Sequence, residues 1–146
     1  NNLGVLQRNI NELQQAEASY REALQTYREL AANNPQAYLP DLAMTLNNLG
    51  ILQSDINDYT KAEASYREAL QIRRELAASN PRAYLPDVAM TIASLALFYQ
   101  ADVPDKEQSV RYAEEVLSYR SSIEHIPAAR EYIEIAEAAL ERWQSH

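Results

Sequence analysis

An all-α fold, a solenoid of antiparallel helix pairs, is the class this sequence predicts, and three observations carry it. The sequence repeats at an offset of 46 residues, apolar residues recur three and four apart within each copy, and Pro35, Pro81 and Pro127 fall 46 apart. Comparing residues 1–46 with 47–92 gives 33 identities: Asn1-Asn2-Leu3-Gly4 returns as Asn47-Asn48-Leu49-Gly50, and Ala16 through Gln25 returns as Ala62 through Gln71. A third copy is more worn, with Leu95-Ala96 in place of Leu49-Gly50 and Glu115-Val116-Leu117 answering Glu68-Ala69-Leu70 at an offset of 47. One residue is therefore gained in its inner loop and one lost later. The expected units are residues 1–37 (a partial copy), 38–83 and 84–126, followed by a capping helix at 127–146. Beginning inside a repeat, the sequence is expected to be a piece of a longer array.

Each unit reads as two helices. Pro40 and Pro86, each followed by aspartate, suit a first helical turn, where a missing N–H costs nothing and a carboxylate meets the positive end of the dipole. From Pro86 to about Gln100, Val88, Ala89, Ile92, Leu95, Ala96 and Tyr99 form a helical stripe. A polar turn is expected at Asp55-Ile56-Asn57-Asp58, and likewise at Asn9-Ile10-Asn11-Glu12 in the first copy. A longer helix then runs from about Tyr59 to Ala78 with Ala62, Tyr66, Ala69, Leu70 and Leu76 on its buried side, and Ser79-Asn80-Pro81 ends it. On its polar side Glu63 and Arg67 stand four apart, repeating Glu17 and Arg21 in the favourable orientation for an ion pair. Gly50 falls mid-helix, where glycine costs roughly 1 kcal/mol against alanine. A close helix crossing is expected there, with Tyr66 filling the space between Ala62 and Ala69. The last helix opens at Pro127 and places Tyr132, Ile135, Ala136, Ala139, Leu140 and Trp143 on one face. Such pairs bury their stripes only against neighbouring pairs.

Composition narrows the function. The net charge of −8 argues against a nucleic-acid surface, which needs a basic stripe. The charge is uneven: −2 over residues 1–46, −1 over 47–92 and −5 over 93–146. With no cysteine there is no disulfide framework or thiolate metal site, and two glycines cannot build a phosphate-cradling loop. No apolar run approaches the ~20 residues that span a bilayer, so no membrane partner is expected and the cytoplasm is the expected compartment. His125 and His146 lack metal-ligand spacing, and His125 suits a helix end. Glu114, Glu115, Glu131, Glu134 and Glu137 read as solvated helix faces beside Arg111 and Arg130, and Ser65 has no histidine near it in the repeat. No catalysis and no cofactor are expected.

Leu49-Gly50, Ala62, Tyr66 and Ala69-Leu70 together resemble the tetratricopeptide repeat, in which a small residue of the first helix packs against two alanines and an aromatic of the second. The unit is longer than the family's usual 34 residues. Its Pro-Asp-Val-Ala start and Leu-Asn-Asn-Leu-Gly run look like the lengthened repeats of kinesin light chains and, more closely, of bacterial arrays joined to signalling or caspase-like protease domains. HEAT and armadillo repeats share a period near 46 but lack this small–large alternation. The resemblance implies a right-handed superhelix whose first helices line a concave face. On that face would stand Met44, Asn47, Asn48, Ile51 and Asp55, then Met90, Ala93, Ser94, Leu97 and Gln100. In peptide-binding relatives, the asparagine equivalent to Asn2 and Asn48 grips a ligand backbone; an amide both donates and accepts. Asn48 could equally belong to the repeat's framework.

Between Pro40 and Asp55, and between Pro86 and Asp102, there is no lysine or arginine. The face thus lacks the cationic clamp by which chaperone-binding relatives hold a carboxylate. The expected function is a protein–protein interaction scaffold for a neutral to basic peptide or partner domain. The alternatives are a self-association module, giving a homo-oligomer, and the sensor segment of a larger signalling or protease protein.

Overall fold

The computed structural model describes the backbone of residues 2–145 and the side chains of residues 9–145. Every regular element among the described residues is helical: α1 (Asn2–Asn33), α2 (Pro35–Asp55), α3 (Tyr59–Ser79), α4 (Pro81–Leu97), a π-helical turn (Phe98–Asp102), α5 (Lys106–Ser118), α6 (Arg120–Ile123) and α7 (Pro127–Gln144).

Helices α2 and α4 begin at Pro35 and Pro81, five residues before the expected Pro40 and Pro86, which stand inside them. The cause is local. Helical geometry is disfavoured for a residue preceding proline, and Asn34 (φ −143°, ψ 79°) and Asn80 (φ −146°, ψ 79°) both leave it, whereas Leu39 and Leu85, before Pro40 and Pro86, stay helical. That single residue ends one helix, and proline opens the next. The Asn80 side chain also accepts from the Ala83 N–H at 3.3 Å. Pro40 and Pro86 only remove the donors that would serve the carbonyls of residues 36 and 82.

The turn between α2 and α3 forms as expected. Asn57 takes the left-handed conformation (φ 65°) that asparagine tolerates, Asp58 accepts from the Lys61 N–H at 3.4 Å, and the Tyr59 hydroxyl donates to Asn57 Oδ1 at 2.9 Å. The corresponding turn expected at Asn9–Glu12 is absent: α1 runs unbroken for 32 residues. Four substitutions explain the difference. Glu12 replaces the capping Asp58, Leu13 replaces the Tyr59 that ties down Asn57, and Gln14-Gln15 replace Thr60-Lys61. Glutamate, leucine and glutamine are good helix formers and poor caps, so the helix continues.

In the third copy the extra residue is taken up by the π-helical turn, where the Val103 N–H bonds the Phe98 carbonyl five residues back at 3.0 Å. Asp105 then caps α5 by accepting from the Gln108 N–H at 3.2 Å. The residue lost later coincides with a break at Tyr119 (φ −95°, ψ 1°), which separates α5 from the four-residue α6.

The chain divides into two compact units, Asn1–Ala69 and Leu70–His146, and the division falls within α3. In the first unit, α1 packs on α2, and α2 lays Leu42, Leu46, Leu49 and Leu52 into a core with Ala62, Tyr66 and Ala69 of α3. Gly50 marks the closest crossing: a Cβ there would stand 2.9 Å from two ring carbons of Tyr66. The ring of Tyr66 itself, more than the flanking alanines, demands the glycine. Beside it, the buried Ser65 hydroxyl donates to Gln53 Oε1 at 2.7 Å. Glu17 and Arg21 pair at 2.7 Å, and Arg28 makes a two-pronged contact with Glu68 at 2.6 and 2.9 Å. The crossing of Gly4 in the first copy lies outside the described side chains.

In the second unit, α4 packs on α5 and α7, and α5 on α7. The expected stripe of Val88, Ala89, Ile92, Leu95, Ala96 and Tyr99 is buried throughout. Arg74 pairs with Glu115 at 2.6 and 2.9 Å, one copy on from Arg28 and Glu68. The repeat's fittings are exchanged here. At the offset of 47, Ala113 stands where Tyr66 stood, so Ala96 fits where Gly50 was required. Tyr99 and Tyr112, in the places of Gln53 and Ser65, stack with ring centroids 6.2 Å apart. Helix α7 buries Ala129, Ile133, Ala136 and Ala139, a face turned from the expected one, leaving Tyr132, Ile135, Leu140 and Trp143 partly exposed.

Candidate interaction faces

Within the first unit, Met44, Asn48, Ile51 and Asp55 fall at i, i+4, i+7 and i+11 of α2 and so share one side of that helix. Met44 is 39 % and Ile51 44 % exposed, with the half-buried Asn48 between them and the exposed Asp55 at the end. Asn47 departs from the expected face. It is 1 % exposed, and its Oδ1 meets no hydrogen-bond donor among the described residues. One position from Asn48 is 100° around a helix, which turns Asn47 into the core. Asn2, the first-copy counterpart of Asn48, has its side chain outside the described residues.

In the second unit the α4 face is built similarly. Met90, Ser94 and Leu97 recur at i, i+4 and i+7, Leu97 is 45 % exposed, and Gln100 follows in the π-helical turn. Ser94 donates its hydroxyl to the Met90 carbonyl at 3.0 Å. Ala93 is 1 % exposed and, like Asn47, belongs to the core.

Reading α4 alone misses one cation. Arg73 arrives from α3, 2 % exposed, and donates to the Asp87 carbonyl at 3.1 Å, to Thr91 Oγ1 at 2.8 Å and to Met90 Sδ at 3.5 Å. Burial lowers its pKa, opposed by the charge of Asp87; burial in turn raises the Asp87 pKa, opposed by Arg73. The hint in the sequence was the mismatch itself, since the first copy has Tyr27 at this position.

Among the described residues no group of three or more His, Cys, Asp or Glu side chains could hold a metal ion, and no helix is long and apolar enough to cross a membrane. His125 is exposed before α7; His146 lies outside the described residues. Sequential packing of helices, with the Arg28–Glu68 pair recurring one copy on as Arg74–Glu115, defines a helical-repeat protein. The chain belongs to the tetratricopeptide repeat family, whose model matches residues 1–75. No curated protein and no solved structure matches it.

Proposed function

We propose that the chain is an interaction scaffold in which the outward side of α2, in the first unit, holds an extended neutral-to-basic peptide or a partner helix, and the outward side of α4, in the second unit, is a further face of the same kind. The observation that supports this most is the side of α2: two large apolar residues, Met44 and Ile51, stand exposed on either side of the amide of Asn48, on a helix without a basic residue. Exposed methionine gives adaptable apolar contact, and an amide matches a peptide backbone's donors and acceptors. Asp55 and Asp41 supply the only charge on α2, which favours a neutral or basic ligand. The finer kinship proposed with this reading is to the lengthened repeats of kinesin light chains and bacterial arrays.

Fluorescence polarisation with extended peptides of basic, neutral and acidic composition tests it. Basic and neutral peptides should bind and acidic ones should not. The double substitution Asn48→Glu and Met90→Ala should weaken binding by about tenfold or more, ~1.4 kcal/mol, with helix content unchanged. Equal binding of acidic peptides, or unchanged affinity in the variant, overturns the reading.

A further inference from the structure

One helix face in the first unit lacks the cover that its twin possesses. In α3, Ala62, Ser65, Tyr66 and Ala69 are all buried, at 0–7 % exposure. Their counterparts in α1 are Ala16, Ser19, Tyr20 and Ala23, identical residue for residue, and none of the four is buried. Leu30, two turns beyond Ala23 on the same side, is 37 % exposed. A hollow of about 360 Å³ lies along this side, lined by Ser19, Glu22, Ala23, Thr26 and Tyr27. The twin shows what such a face takes. On α3 a helix crosses it, with Gly50 under the Tyr66 ring and Gln53 bonded to Ser65.

Charge selects the kind of helix that fits the open face. Glu22 and Glu29, seven residues apart, form its acidic border. Glu22 stands at the repeat position of Glu68, which Arg28 grips in a two-pronged contact at 2.6 and 2.9 Å; Arg74 holds Glu115 in the same way one copy on. The first carboxylate of this series lacks its arginine: among the described residues Glu22 meets no cation, and Glu29 accepts only from the Gln25 amide, at 3.5 Å. Arg21 and Arg28 of α1 are engaged elsewhere, with Glu17 and Glu68. A second copy turned antiparallel onto the same face would set these acidic borders against each other, which is a repulsive match.

We propose that this side of α1 is a docking site for a basic amphipathic helix of another protein, one that brings a glycine or alanine over the Tyr20 ring and an arginine to Glu22. The Tyr20 ring admits a small residue at the crossing, as the Tyr66 ring does at Gly50. Ser19 offers its hydroxyl to a side-chain amide, as Ser65 does to Gln53. Ala16, Ala23 and Leu30 supply the apolar floor. An arginine fork on the Glu22 carboxylate repeats the grip on Glu68 and Glu115, and planar two-pronged pairing of this kind favours arginine over lysine. This side of α1 is separate from the outward side of α2, so either can bind without the other.

Fluorescence polarisation with labelled, stapled helical peptides tests this on the whole chain. The first peptide has Leu-Gly-Ile-Leu-Gln at its centre, the stretch of α2 that crosses α3, with arginines in the flanking turns. The second carries glutamates in those turns, and the third keeps the arginines but has phenylalanine in place of the central glycine. The first should bind saturably and the other two at least about tenfold more weakly. Ser19→Arg, at an exposed position in the hollow, should abolish binding with helix content unchanged. Glu22→Arg should reverse the charge preference, so that the glutamate peptide binds better than the arginine one. Asn48→Glu with Met90→Ala, which alters the outward sides of α2 and α4, should leave binding intact. Four results would each overturn the proposal. The first is no binding of the arginine peptide, whether the chain's own residues or a second copy, seen as a dimer by light scattering, occupies the face. The second is binding that survives Ser19→Arg. The third is a Glu22→Arg chain that keeps the parent's preference. The fourth is loss of binding in the Asn48→Glu, Met90→Ala chain, which would put the peptide on the other faces.

Discussion

Replacing Gly50 with alanine sets two opposed effects against each other at a position where the structure fixes both. Helix propensity favours alanine by roughly 1 kcal/mol in the middle of α2. Against it, the new Cβ would stand 2.9 Å from Cδ1 and Cε1 of Tyr66 and 3.2 Å from Cγ, whereas ordinary contacts begin near 3.4 Å. The Tyr66 ring is 4 % exposed and cannot swing into solvent, so the helices or the ring must give by about half an ångström. Overpacking of this kind costs about 1–3 kcal/mol. The expected net effect of Gly50→Ala is a loss of about 0–2 kcal/mol. In a Tyr66→Ala background, itself about 3–5 kcal/mol less stable, the clash is gone and Gly50→Ala should instead stabilise by about 1 kcal/mol. The coupling between the two sites is then the clash itself, about 1–3 kcal/mol, well above the ~0.5 kcal/mol scatter of independent sites. The third copy already carries the compensated pair, Ala96 with Ala113. Urea titration followed by circular dichroism measures all four corners of the cycle; Trp143, the single tryptophan, lies in the second unit and would not report. Tyr66→Leu serves in place of Tyr66→Ala where the latter fails to fold. If Gly50→Ala has the same effect in both backgrounds, the close approach does not govern this position.

Two further outcomes can be measured on the same chain. Asn47→Ala should leave stability within about 1 kcal/mol of the parent by urea titration, because the volume lost is offset by removing a buried oxygen that meets no donor, and the third copy carries alanine there; a loss of several kcal/mol would show that Asn47 is a structural tie. Burial raises the Glu115 pKa, but the hydrogen bonds from Arg74 and Tyr119 and the charge of Arg74 outweigh it, so the carboxyl titrates below its ordinary 4.5. A depressed carboxyl contributes stability that is complete above its unfolded pKa and is lost as pH falls through the lower folded value. Glu115→Gln should therefore flatten the acid limb of stability below about pH 4.5, by about 0.2–1 kcal/mol for a partly exposed pair, and an unchanged acid limb would refute it.

The period, the packing stripe of α3 and the need for glycine at position 50 were legible in the sequence because each rests on spacing within one helix or on a simple offset between copies. What escaped depended on finer comparisons between positions. The straight hinge in α1 follows from a Glu12 that reads as a conservative change from Asp58 yet forfeits a cap. Asn47 sits one residue from Asn48, and a 100° step decides between core and surface. Arg73 serves α4 from another helix, so no reading of α4's own residues could find it. The helix starts escaped for another reason. Pro40, followed by Asp41, carries two marks of a first turn and Pro35 only one, yet the non-helical backbone of Asn34 puts the start of α2 at Pro35.

Near-identical copies carry a hazard during folding, since a helix can pair with the wrong twin as readily as with the right one. Between the second copy and the third, the exchange of the buried Ser65–Gln53 bond for the Tyr99–Tyr112 stack counters it. A stretch of chain carrying Tyr99, offered to Ser65, would bury a hydroxyl away from its amide acceptor; one carrying Gln53, offered to Tyr112, would set an amide against an aromatic face. Each wrong match forfeits a hydrogen bond or a ring contact that the right match supplies. The fastening inside each helix pair thus acts as a key, and the order in which equal-looking pieces assemble is written in residues that never reach the surface.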